Sequence, residues 1–165
     1  MKHRLIICGL LLFSSWFFSS AKAQDLSRYH AVFIGKFIDY IAWPDKGDHL
    51  TIGVVGDSPV LKELQANVEQ RGKGTIKIIS DVSDAANCQI IFLPSSQGKL
   101  FQKIKNAIAN KSVLLVTEEE QFVWEGAGIS FYVQDGKLRF LLNQSVASAK
   151  NLKISSSLLA LAKVI

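Results

Sequence analysis

The chain is poor in the residues that most often announce chemistry or an unusual architecture. Its 165 residues include two cysteines, three histidines, three prolines and one methionine. Prolines at positions 44, 59 and 94 alone leave no proline-rich or low-complexity tract, which excludes a polyproline rod or a long linker between domains. His30, His49 and Cys88 share no metal-ligand spacing, so no zinc-type site is expected. The apolar stretch Leu5 to Ser20 is shorter than the roughly 20 residues a membrane-spanning helix needs, and Ser14, Ser15, Ser19 and Ser20 weaken it further.

That stretch has another use. Met1-Lys2-His3-Arg4 is basic, the apolar run follows, and Ala21-Lys22-Ala23 places small residues where a signal peptidase inspects the chain. Residues 1–23 are therefore expected to be a cleaved signal peptide, and residues 24–165 a single domain. The first 23 residues hold Lys2, Arg4 and Lys22 and no acid, so their removal lowers the net charge from +5 to +2. No basic run remains to follow a phosphate backbone, and nucleic acid is not an expected partner. The same cut leaves Cys88 alone in an oxidising compartment, which excludes an internal disulfide and leaves stability to the hydrophobic core.

What is present begins with YHAVFIGKFIDYIAWP, residues 29–44. At 100° per residue Tyr29, Phe33, Ile34, Phe37, Ile38, Tyr40 and Ile41 occupy about half the circle, with Lys36 and Asp39 opposite. This predicts a largely buried helix that stops at Trp43-Pro44, because proline cannot continue it. Strands are predicted over residues 51–55, 75–79, 89–93 and 112–117, with helices over 59–70 and 98–110 between them. Strands 129–133 and 137–142 flank Gln134-Asp135-Gly136, a strong hairpin signal, and a core-facing helix is predicted from Ile154 to Ile165. Together these give a three-layer α/β/α sandwich with a mainly parallel sheet and an antiparallel C-terminal hairpin.

Catalytic patterns fail on their missing members. Gly56-Asp57-Ser58 resembles the nucleophile block of GDS-type hydrolases, but no histidine follows the last strands to act as base. A receiver-type phosphorylation domain needs an acceptor aspartate where this chain has Pro94-Ser95-Ser96. Gly53-Val54-Val55-Gly56 lacks the third glycine of a dinucleotide loop. No catalytic residue, cofactor or metal is assigned, and no enzyme activity is expected. Sheet topology directs any ligand to the carboxyl ends of the parallel strands, where Asp57, Ser58, Ser95, Ser96 and Thr117 would line it or serve only as caps. The aromatic residues Tyr40, Trp43, Phe122 and Trp124 are the candidates for partner contact.

Three blocks, read in order, resemble one family. They are Ala31-Val32-Phe33 through Phe37, Tyr40 and Trp43-Pro44; then Ile52-Gly53-Val54-Val55-Gly56 with Cys88-Gln89-Ile90-Ile91-Phe92-Leu93; then Lys137-Leu138-Arg139-Phe140, Asn143 and Leu152-Lys153-Ile154-Ser155-Ser156 with Leu158-Leu159 and Leu161-Ala162. Their order and spacing resemble the YfiR family of periplasmic proteins. The resemblance implies a non-enzymatic periplasmic regulator of a membrane-anchored signalling protein, a diguanylate cyclase or sensor kinase, held by its periplasmic portion. It implies no membrane insertion once the signal is removed, and a homodimer is compatible with it. The disulfide-based redox control linked to the well-studied branch does not carry over, since only Cys88 is present. A periplasmic small-molecule binding module is the competing reading.

Overall fold

The structure, a computed structural model, describes residues 17–44 and 49–165, with side chains described from Leu26 onward. The expected signal segment lies outside the described residues, apart from helical backbone from Phe17. Helix α1 (Phe17–Tyr40) is followed by β1 (Ile41–Ala42), β2 (Leu50–Val55), α2 (Val60–Arg71), β3 (Gly74–Ile79), β4 (Ile90–Leu93), α3 (Phe101–Ala107) and β5 (Leu114–Thr117). The chain continues through β6 (Ile129–Gln134), β7 (Lys137–Leu142), α4 (Gln144–Ala149), β8 (Lys153–Ile154), α5 (Ser156–Leu161) and β9 (Lys163–Val164). Short 3₁₀ turns cover Val82–Asn87, Ser95–Leu100 and Glu120–Val123.

Seven strands form one sheet in the order β3-β2-β4-β5-β6-β7-β9. Neighbours from β3 to β6 are parallel, β6 and β7 form the antiparallel hairpin, and β9 adds parallel to β7. The central strands β4 and β5 are buried at every position, as strands covered on both faces must be. Alternation divides their side chains between two cores. Ile90, Phe92, Leu114 and Val116 pack with Ile34, Phe37 and Ile38 of α1 and Leu64 of α2, whereas Ile91, Leu93 and Leu115 pack with Phe101 and Ile104 of α3. The fold is the expected three-layer sandwich.

The hairpin follows its sequence closely. Asp135 and Gly136 have φ of 52° and 70°, the left-handed pair that a two-residue turn requires, and Gln134 faces Lys137 across it.

Two expectations need correction. Helix α1 ends at Tyr40 rather than at Trp43-Pro44, because Ile41–Ala42 pairs antiparallel with Lys153–Ile154 and the Ser155 N–H bonds the Tyr40 carbonyl at 2.9 Å. A long-range strand pair therefore stops the helix three residues before proline would. The closing helix is also shorter than residues 154–165. Ser155 caps it, accepting the Leu158 N–H on Oγ at 3.2 Å, and Lys163–Val164 leaves it to pair with Leu141–Leu142. Leu161, expected in the core stripe, is exposed.

Candidate functional site

Helix α1 brings one side chain to the carboxyl ends of the central strands that strand topology alone does not supply. His30 lies on the same helical stripe as Ile34 and Phe37, so burying that stripe buries the imidazole as well. Its ring rests 4.6 Å from the Phe131 ring and 5.9 Å from that of Phe92. Burial in this aromatic setting pushes its pKa down to about 4, because the charged imidazolium loses its hydration there. At neutral pH the ring is uncharged.

Glu118, the residue after β5, faces it. Its Oε1 stands 3.4 Å from His30 Nδ1 but out of line for a hydrogen bond, and Nδ1 has no hydrogen-bond partner among the described residues. The other carboxylate oxygen is occupied. Ser95 donates its backbone N–H and its hydroxyl to Oε2 at 2.8 and 3.0 Å. A cavity of about 220 Å³ opens beside these three residues, walled by Leu26, Phe131, Val133 and Leu138. Tyr132 also lines it, and most of its surface is apolar.

The ideal switch point of the sheet, between β2 and β4, is by contrast filled. Gly56 turns with φ of +67°, and a Cβ there would come within 3.0 Å of the Gln97 amide, which covers that crevice. The open space is thereby shifted to β4, β5 and β6, under the first turns of α1 that carry described side chains.

A family model described as YfiR/HmsC-like matches residues 27–163, nearly the whole of the chain that follows the expected signal. The chain belongs to this family. Membership supports the general reading of a periplasmic regulator in cyclic-di-GMP signalling. No curated protein matches the sequence. Among solved structures, a conserved domain protein from Vibrio cholerae O1 biovar El Tor superposes with a TM-score of 0.60 at 13% identity, covering 84% of this chain and 59% of that one. The ABC domain from Streptococcus pneumoniae, solved in complex with L-Trp, gives a TM-score of 0.60 at 14% identity, covering 79% of this chain and 59% of that one. At such identities the likeness is one of fold. This YfiR/HmsC-like chain spans under two thirds of the length of either structure.

The structure distributes the residues singled out in the sequence of this YfiR/HmsC-like protein unevenly. Ser95 belongs to the cavity, and Thr117 lies just beneath it. Thr117 is fully buried and donates its hydroxyl to the Glu119 carbonyl at 3.1 Å, so the 2.7 Å contact with Ser130 is made by the Ser130 hydroxyl donating to Thr117. Ser58 is buried and caps α2, accepting the Val60 N–H at 3.3 Å, while Asp57 and Ser96 are exposed outside the cavity.

The aromatic candidates divide likewise. Trp124 is 65% exposed and Tyr40 39%. Phe122 is half-buried and stacks flat on Phe101, with ring centres 4.1 Å apart. Trp43, a candidate for partner contact, is a core residue, with its indole N–H donated to the Gln89 carbonyl at 3.2 Å. Its ring packs in the core cluster that also holds Ile90 and Phe92 of β4.

Sequence reasoning passed over His30 and Glu118. The helical period that predicts burial of Ile34 and Phe37 also places His30 on their stripe, and Glu118 immediately follows a predicted strand end. The signal was present, but a lone histidine and the first acid of a three-acid run each have a more ordinary explanation.

Proposed function

We propose that the chain is a non-enzymatic periplasmic regulator that controls an inner-membrane signalling protein, a diguanylate cyclase or a sensor kinase, by direct contact. The observation that carries this reading is the match to the YfiR/HmsC-like family from residue 27 to residue 163. The exposed aromatic Trp124, on the turn that follows β5, supports it, since a large ring in water on an otherwise well-packed domain is a natural anchor for a protein partner. Among the described residues no helix is long and apolar enough to cross a membrane, so contact with a membrane protein would be made from the domain surface.

The test pairs the purified chain with the periplasmic portions of the membrane diguanylate cyclases and sensor kinases of its own cell. Binding weakened at least tenfold by Trp124→Ala, together with altered cyclic-di-GMP or kinase output when the gene is deleted, is the expected result. A deletion that changes neither output, with no binding to any of those portions, overturns the reading.

A further inference from the structure

The cavity beside His30 has a polarity that selects among ligands. On one side stands the Glu118 carboxylate, whose Oε1 lies 3.4 Å from the buried His30 Nδ1 without a hydrogen bond. Nδ1 is buried among aromatic rings with no hydrogen-bond partner among the described residues. On the other side the walls are Leu26, Phe131, Val133 and Leu138.

From this geometry we infer that the cavity binds a small primary amine with an apolar body, its ammonium group seated on the Glu118 carboxylate. An ammonium carries the opposite charge and three donors, so it can pair with the carboxylate. An anion would meet the Glu118 carboxylate at close range. A neutral alcohol has a single proton and no charge to offer it.

Two further observations bear on the class. His30 is uncharged near pH 7, so it leaves the Glu118 charge for a ligand to balance. The volume of about 220 Å³ falls below the roughly 300–1,000 Å³ of drug-sized sites, which fits a body of one ring or a short branched chain. Ser95 holds Oε2 with two donors and so fixes the direction in which Oε1 points. Ser95 is in this sense a positioning residue.

The probe is 2-phenylethylamine, compared with 2-phenylethanol and 3-phenylpropanoate, which keep the ring and replace the charge. Binding to the purified full chain is followed by calorimetry, and the His30 ring protons by NMR. The amine is expected to bind at least tenfold more tightly than the alcohol, to leave the carboxylate without detectable binding, and to shift the His30 resonances. Glu118→Gln should weaken the amine at least tenfold while leaving the melting temperature and the alcohol's affinity near their original values. Should Glu118→Gln fail to fold, Ser95→Ala offers a milder test, expected to weaken the amine severalfold and the alcohol very little. Equal binding of amine and alcohol, or amine binding that leaves the His30 resonances unmoved, overturns the assignment. So does the absence of amine binding at millimolar concentration, which would leave the cavity to water.

Discussion

His30 Nδ1 and Glu118 Oε1 approach to 3.4 Å across the mouth of an apolar cavity without forming a hydrogen bond. The pair joins the first helix of the domain to the end of its central strand, and the histidine is neutral because it is buried. Acid therefore acts on this contact in a definable way. In the unfolded chain His30 takes up a proton near its ordinary pKa of 6.5, whereas in the folded chain it does so only near 4. Between those values the unfolded state holds more protons, so stability is intact above about pH 6.5 and falls as the pH drops toward 4. The shift corresponds to about 3 kcal/mol when complete. Urea midpoints between pH 4 and 7 should fall more steeply for the native chain than for His30→Leu, and parallel curves would refute the account.

Trp43 makes a second link between distant parts of the chain. Its ring is buried and its indole N–H reaches the Gln89 carbonyl, just ahead of β4. Trp43→Phe keeps most of the apolar contact and removes one of the two donors to that carbonyl, which keeps the Leu114 N–H at 2.8 Å, so the cost should be no more than about 1 kcal/mol. Trp43→Ala empties the site and should cost about 3–5 kcal/mol. Chemical denaturation of the two variants separates the terms. Equal losses would mean that the hydrogen bond, not packing, dominates.

The contrast between Trp43 and Trp124 shows which part of the site the sequence could reveal. Strand and helix periods follow from local residue types, so β2 to β7, the Asp135-Gly136 turn and the three layers are legible before any coordinates. Exposure of one aromatic residue depends on what packs over it from far along the chain. Lys153–Ile154 ends α1 early, and Lys163–Val164 turns the last residues into a strand, through pairings that no local pattern encodes. The cavity is of the same kind. Ser95 and Thr117 were legible as strand-end residues, but His30 reaches them only because α1 lies across the sheet with its earlier turns over the carboxyl ends.

Lys150 offers a test of how the C-terminal third is fastened to α3. Its ammonium donates to the carbonyls of Ile108 at 2.7 Å and Lys111 at 3.2 Å, with Ala109 at 3.5 Å. These groups follow the end of α3, where unpaired carbonyls and the negative end of the helix dipole favour a cation. Partial burial lowers the Lys150 pKa, yet the carbonyls keep the charge well served. Lys150→Met preserves the side-chain length and removes every donor, and should destabilise the chain by about 2 kcal/mol. Amide exchange localises the effect. Faster exchange at Ile108 and Lys111, with the β2 amides unchanged, is the expected pattern.

Cys88 bears on whether this protein can be switched by oxidation. Its side chain is buried, its thiol points to the Asp84 carbonyl at 3.8 Å, and it packs where a Cβ on Gly53 would come within 3.0 Å of its sulfur. Burial pushes the thiol pKa up to about 11, with the nearby Lys77 charge opposing the shift only in part. Since the thiolate is the reactive form, the native protein near pH 7 holds almost none of it. Cys88 should therefore react with iodoacetamide at least a hundredfold more slowly than a free cysteine in the same buffer, and at the ordinary rate once urea unfolds the chain. Modification in the folded state at an ordinary rate, followed by mass spectrometry, would show a thiol that opens to solvent. Oxidative control by Cys88 would then be feasible, whereas the packed structure confines the residue to the core.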